Sequence, residues 1–244
     1  MNWHARFRQQ ARWTHTLRAH LFKKAALSAT ARVLEVGCGT GALLEEFPPA
    51  RRMGLHGVDT NLAALREAAQ HAPGAALLCA DGQALPYPSA CFDLSFCHYL
   101  LLWVPDPLRV LSEMRRVTRA GGAVLALAEP DYGGRIDYPP ALEALGHLQA
   151  ESLRAQGADP CLGRKLAGLL VQAGLREVEA GILGAEWRVT AWQEDALEWQ
   201  VLQADLGAHL SAGALQALKQ SEAAARQHGE RVLFVPTFFA WGRV

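Results

Sequence analysis

The sequence predicts an α/β fold: a doubly wound, mostly parallel sheet of seven strands, flanked by helices and carrying helical cap insertions. Three observations lead there. Short apolar runs alternate with helical patterns between residues 33 and 130, the signature of strand–helix–strand units. The runs are apolar throughout rather than alternating, as strands covered on both faces must be. Polar and glycine residues follow the ends of successive strands, at Gly37 to Gly41, Asp59, Asp81, His98 and Glu129 to Asp131. Open parallel sheets bind ligands beyond those strand ends.

The elements follow in order. Residues 3–27 read as a helix, with Trp3, Phe7, Trp13, Leu17 and Leu21 at mostly helical spacing. A strand at 33–36 runs into the glycines, and a helix opens at Gly41 and stops at Pro48-Pro49. The second strand, 55–58, ends at Asp59 and is followed by a helix at 62–71. The third, 76–79, leads to Asp81, and the fourth, 92–96, to a helix at 107–118. After the turn Ala120-Gly121-Gly122 comes a fifth strand at 123–127. Past Pro140 the pattern changes to helices at 141–156 and 163–173, a strand at 175–183, helices at 192–206 and 212–228, and a closing strand at 232–241. The expected organisation is one domain over 1–244. It has an N-terminal helical segment at 1–27, a ligand-binding core at 28–135, cap or lid segments at 136–174 and 190–230, and a closing strand at 231–244.

Composition narrows the function. Lys plus Arg and Asp plus Glu are both 24, so the formal charge is zero and a nucleic-acid partner is not expected. No stretch reaches the roughly 18 consecutive apolar residues of a membrane span, so no membrane partner is expected either. The five cysteines are odd in number and show no C-x-x-C pair, which points to reduced thiols and a soluble cytoplasmic protein. His147, His209 and His228 have no paired ligand spacing, and no metal is expected. Nothing in the sequence sets an oligomeric state.

Three glycines within five residues, directly after an apolar strand, have a physical purpose. The chain must turn sharply while its backbone approaches a ligand, and side chains would block that approach. Asp59 lies 18 residues past Gly41 at the end of the next strand, where a carboxylate can accept both ribose hydroxyls of an adenosine.

Val33-Leu34-Glu35-Val36-Gly37-Cys38-Gly39-Thr40-Gly41 resembles the first motif of the class I S-adenosylmethionine-dependent methyltransferases, and Gly57-Val58-Asp59 resembles the second. Ala80-Asp81-Gly82-Gln83-Ala84-Leu85-Pro86-Tyr87 with Cys91-Phe92-Asp93-Leu94 resembles the third and fourth, and Arg115 to Gly122 the stretch before the fifth strand. The match is in order over 33–130 and is most similar to the small-molecule branch that includes ubiquinone and menaquinone biosynthesis enzymes. The resemblance implies S-adenosylmethionine as cofactor and direct in-line methyl transfer to a small-molecule acceptor. It implies that Gly37, Cys38, Gly39 and Gly41 line the methionine part with Glu35 nearby. Asp59, flanked by Thr60 and Asn61, would bind the ribose, and Asp81 with Gly82 and Gln83 the adenine. His98 would lie where sulfonium and acceptor meet, with Trp13, Thr14 or Arg18 closing over the methionine end.

Two other readings fit parts of the sequence. Gly37-x-Gly39-x-x-Ala42 with Asp59 also fits the fingerprint of a nicotinamide-dependent oxidoreductase. Against it, no Tyr-x-x-x-Lys pair is present. A non-catalytic S-adenosylmethionine-binding regulator or partner subunit is the other, because methyl transfer needs alignment more than a catalytic group. Within the enzyme reading, His98 is a candidate general base. Tyr99, Asp131 and Tyr132 are candidate acceptor contacts. Trp187, Trp192, Trp199 and Trp241 are candidates for the wall of the acceptor pocket.

Overall fold

A computed structural model describes residues 2–184, 196–207 and 209–244. The helices are α1 (Trp3–Lys24), α2 (Leu62–His71), α3 (Pro107–Val117), α4 (Glu143–Ala155), α5 (Leu166–Gln172), α6 (Ala196–Leu206) and α7 (Ala212–Gln227). The strands are β1 (Val33–Val36), β2 (Leu55–Asp59), β3 (Ala76–Cys79), β4 (Phe92–Cys97), β5 (Thr118–Pro130), β6 (Ile136–Tyr138), β7 (Arg176–Ile182), β8 (Val232–Phe234) and β9 (Thr237–Arg243).

Seven strands form one sheet in the order β3-β2-β1-β4-β5-β9-β7. The first five are parallel, while β9 runs antiparallel to both β5 and β7. The order reverses between β1 and β4, which creates the crevice where ligands of such sheets sit. An antiparallel strand between β5 and β7 departs from the 3-2-1-4-5-6 order of the dinucleotide-binding fold.

Two apolar layers cover the sheet. On one face, Ala11 and Leu21 of α1 and Leu65 of α2 pack with Val33, Leu94, Phe96, Leu125 and Trp241. On the other, Val110, Leu111 and Met114 of α3 and Leu166 and Leu170 of α5 pack with Leu34, Val36, Val124 and Ala126. Neighbouring strand residues therefore point to opposite layers, as the pleat requires. Local signals set the helix starts. Asn61 caps α2 by accepting from the N–H groups of Ala63 and Ala64, and Asp106 caps α3, accepting from Arg109 ahead of Pro107 at the first turn. A third cluster, Leu142, Leu145, Trp199, Leu202, Leu206 and Leu215, joins α4, α6 and α7 into a separate helical layer.

The structure differs from the sequence reading at four places. The segment 41–47 is not an α-helix: a turn is followed by a single 3-10 turn at Leu44–Glu46. Gly41 sits at φ +78° and Pro48 follows within seven residues, so a regular helix has no room to propagate. The closing strand is two strands, because Pro236 lacks an N–H and breaks it between β8 and β9. β8 pairs instead with β6, a strand the sequence reading omitted. Helix α5, assigned from sequence to a cap segment, packs on the sheet beside α3. The start of the helix expected at 192–206 lies outside the described residues, which resume at 196.

Candidate active site

The crevice is built from the glycine loop outward. Gly37, Gly39 and Gly41 all adopt positive φ, at 75°, 50° and 78°, so L side chains there are strained. Backbone bonds fasten the loop to the next strand, with the N–H groups of Gly37 and Cys38 donating to the carbonyl of Val58 at 2.8 and 3.0 Å. Asp59 completes the attachment. One of its carboxylate oxygens accepts from the Gly39 N–H and the other from the Asn61 N–H, both at 2.8 Å. Each oxygen keeps a further lone pair for a ligand hydroxyl.

Asp81, exposed at the end of β3, accepts from the N–H of Gln83 at 2.8 Å and from its side-chain amide. Gly82 must be glycine for packing, since a Cβ there would lie 2.9 Å from Val36. The Asn61 side chain is committed to capping α2, and Thr60 beside it is exposed. Glu35 is the electrostatic outlier. It is 2% exposed, one carboxylate oxygen has no hydrogen-bond partner, and burial raises its pKa well above the usual range despite the nearby Arg18. A buried acceptor without a donor is costly, and that marks a place built for a cation or an N–H group.

Helix α1 lies across the loop. A Cβ on Gly39 would stand 3.2 Å from the Phe7 ring, and His4 Nδ1 is 2.8 Å from the Thr40 hydroxyl. Arg18 donates to Thr14, to the Ala11 carbonyl and to Glu46. Thr14 in turn meets His98 Nε2 at 3.0 Å. Of the three α1 residues expected to close over the methionine end, Thr14 and Arg18 are buried in this network, whereas Trp13 is half exposed.

His98 has distinctive surroundings. It is buried, and burial with the nearby Arg18 pushes its pKa down to about 3, so it is neutral and a feeble base. It is absent from the wall of the adjacent cavity and holds α1 through Thr14. Asp131 is 2% exposed and receives two side-chain hydrogen bonds from Arg164, at 2.5 and 2.7 Å. It fastens the end of β5 to the turn before α5. Glu129 has a comparable task, accepting the N–H groups of Leu100, Leu101 and Leu102 and so shaping the loop after β4.

Beside the crevice lies a cavity of about 620 Å³ between α1, the β4 loop and the cap. Tyr99 and Tyr132 do line it, together with Trp3, Phe7, Trp13 and Trp103, none of which was named for it from sequence except Trp13 as a closing residue. Tyr99 holds φ +53°, with its N–H donating to the Ala128 carbonyl. Burial raises the pKa of Tyr132 to about 12, so its hydroxyl stays protonated. Most charges at the wall are paired, Arg6 with Glu198 at 2.9 Å, Arg135 with Asp137 at 2.6 Å, and Arg231 with Asp137 at 2.8 Å, while Asp205 accepts from the Gln149 amide at 2.9 Å. The indoles expected there lie elsewhere. Trp199 is in the cap core, donating to Glu222 at 2.5 Å, and Trp241 packs on the sheet. Trp187 and Trp192 lie outside the described residues.

Residues 34–126 match the family model described as a methyltransferase domain. Over this segment the chain is similar to methyltransferase domains. The chain is 39% identical over 101 residues to a malonyl-[acyl-carrier protein] O-methyltransferase of Halorhodospira halophila, an alignment covering 38% of this chain and 33% of that one. It is 30% identical over 184 residues to a trans-aconitate 2-methyltransferase of Methylobacterium nodulans, covering 72% of this chain and 64% of that one. The chain thus spans between one third and two thirds of the length of these curated relatives. The fold matches a Haemonchus contortus phosphoethanolamine N-methyltransferase solved with S-adenosylhomocysteine. The TM-score is 0.58 at 16% identity, over 93% of this chain and 52% of that one.

Proposed function

We propose that this chain transfers a methyl group from S-adenosylmethionine to a small-molecule acceptor held in the aromatic cavity. The observation that carries the reading is the unpartnered, buried carboxyl of Glu35, set beside the glycine loop and Asp59. A methionine ammonium would give Glu35 the donor it lacks. The glycine loop and Cys38 line that end of the cofactor, Asp59 and Thr60 its ribose, and Asp81, Gly82 and Gln83 its adenine. Asn61 and His98 serve by positioning the α2 cap and α1.

S-adenosylmethionine supplies a methyl group already activated on a sulfonium. What the protein adds is alignment and exclusion of water, and such orientation is worth about 7–11 kcal/mol in favourable cases. Helix α1 seals one side, and Tyr99 and Tyr132 present the opposite wall to the acceptor. Because most of the wall charges are paired, the acceptor is recognised mainly by an apolar or aromatic body. The relatives named for methylating malonyl-[acyl-carrier protein] and trans-aconitate support a small acceptor. The five cysteines, all free thiols, support a reducing cytoplasmic setting.

Calorimetric titration with S-adenosylmethionine, S-adenosylhomocysteine, NAD and NADP tests this. Binding of the two sulfur compounds alone, weakened in Glu35→Gln and Asp59→Ala, is the expected outcome. Binding of a nicotinamide nucleotide, or of none of the four by a folded protein, overturns it.

A further inference from the structure

A group of side chains behind the glycine loop is unused by the chemistry above. His4, on the first turn of α1, is 9% exposed, and its Nε2 is fully buried with no hydrogen-bond partner. Its Nδ1 faces the Thr40 hydroxyl at 2.8 Å. A proton on Nε2 would be stranded, so the proton belongs on Nδ1, donated to Thr40, and Nε2 presents a free lone pair.

Two further ligand groups lie nearby on α2. Glu67 and His71 are four residues apart and so share one face of that helix, with His71 Nε2 3.7 Å from Glu67 Oε1. One ligand atom from each of His4, Glu67 and His71 can be chosen so that all lie within 4.8 Å of one another. Glu45 adds a second carboxylate, 3.6 Å from His4 Nε2 and 3.9 Å from His71 Nδ1.

We propose that His4, Glu67 and His71 bind a zinc ion, with Glu45 as the adjoining carboxylate that balances its charge. Two imidazoles and one carboxylate are a donor set that zinc takes at about 2.0–2.2 Å, leaving a fourth position open. Ligand atoms around such an ion stand roughly 3.4 Å apart, so the three groups must draw together from separations of up to 4.8 Å. The hydrogen bond from His4 to Thr40 is the outer contact that orients a metal-binding imidazole and fixes its tautomer. One movement is required. The two imidazoles lie stacked, 3.6 Å between centroids and 7° between planes, and an ion lies in the plane of each ring it binds. The His71 side chain, 31% exposed, therefore turns to meet it.

An ion here would join α1 to α2 and, through Thr40, to the loop that holds the cofactor. The site is independent of the identity of the methyl acceptor.

Tag-free protein, stripped with chelator and dialysed, is titrated with zinc chloride by calorimetry and with cobalt(II) by visible absorption. One equivalent should bind, with the absorption of a four- or five-coordinate cobalt centre and a rise in thermal midpoint with metal concentration. His4→Gln and His71→Gln should each lose at least about 100-fold in affinity, and Thr40→Val about 10-fold. Circular dichroism without metal checks that each variant is folded. If His4→Gln does not fold, His71→Gln decides, since its ring is partly exposed. No saturable binding, or equal affinity in wild type and His71→Gln, overturns the proposal.

Discussion

Thr14 on α1 and His98 at the end of β4 meet side chain to side chain, hydroxyl to Nε2, at 3.0 Å. This contact, 84 residues apart in sequence, ties the helix that covers the crevice to the sheet beneath it. It also dates the protonation state of the imidazole to folding, because only the folded chain holds it beside Arg18 away from water.

A pH dependence follows. The folded pKa of His98 is about 3, against about 6.5 in the unfolded chain, so below pH 6.5 the unfolded state takes up a proton that the folded state refuses. This contribution to stability is complete above about pH 6.5 and is lost progressively as pH falls toward 3. Between pH 7 and 5 the loss is about 2 kcal/mol. Urea midpoints measured across that window should fall less steeply for His98→Asn than for wild type. Parallel curves would contradict the assignment.

Asp59→Asn leaves an acceptor for one of the two backbone N–H groups and puts an amide donor against the other. An unmade bond of this kind costs about 1–3 kcal/mol, so binding of S-adenosylmethionine should weaken about 10- to 100-fold. Calorimetry on the variant reads this directly.

Gly41→Ala tests the loop's geometry. The new Cβ would lie 3.1 Å from the Ala68 Cβ and 3.2 Å from its Cα, on a residue at φ +78°. Left-handed backbone alone costs about 1–2 kcal/mol for a non-glycine residue, and contact with the rigid backbone of α2 adds to it. Chemical denaturation should show at least that loss, together with weaker cofactor binding.

Asp131→Asn and Tyr132→Ala separate support from recognition. The first breaks the attachment to Arg164 and should lower the thermal midpoint while leaving saturation by the acceptor unchanged. The second alters the cavity wall and should raise the acceptor KM without changing affinity for S-adenosylmethionine. The reverse pattern would restore Asp131 to the acceptor site.

What the sequence made legible was whatever local chemistry dictates. Apolar runs ending in glycine or aspartate located β1, β2 and β3, and α2 falls on the residues 62–71 read for it. Glycines that tolerate positive φ identified the cofactor loop. Less legible was anything decided by distant partners. His98 looks reactive in isolation, and only the packing of α1 shows it neutral and spent on Thr14. Asp131 sits at a strand end like Asp59, but Arg164, 33 residues away, claims it. Trp199 and Trp241 are pocket candidates whose spacing is more often that of core residues, and tertiary burial places both in the core. The cluster of His4, Glu67 and His71 has no sequence spacing to betray it, because one ligand comes from a helix more than sixty residues upstream.

The strand that completes the sheet is translated after every strand it joins. β9 lies between β5 and β7 and hydrogen-bonds to both, yet it comprises residues 237–243. On the ribosome, β5 and β7 have both emerged while the strand that separates them is still within the exit tunnel. Their open edges are templates for strand pairing with other nascent chains during that interval. Stalling translation just before residue 237 should therefore yield a species prone to aggregation and dependent on chaperones, although each strand it contains is native in sequence.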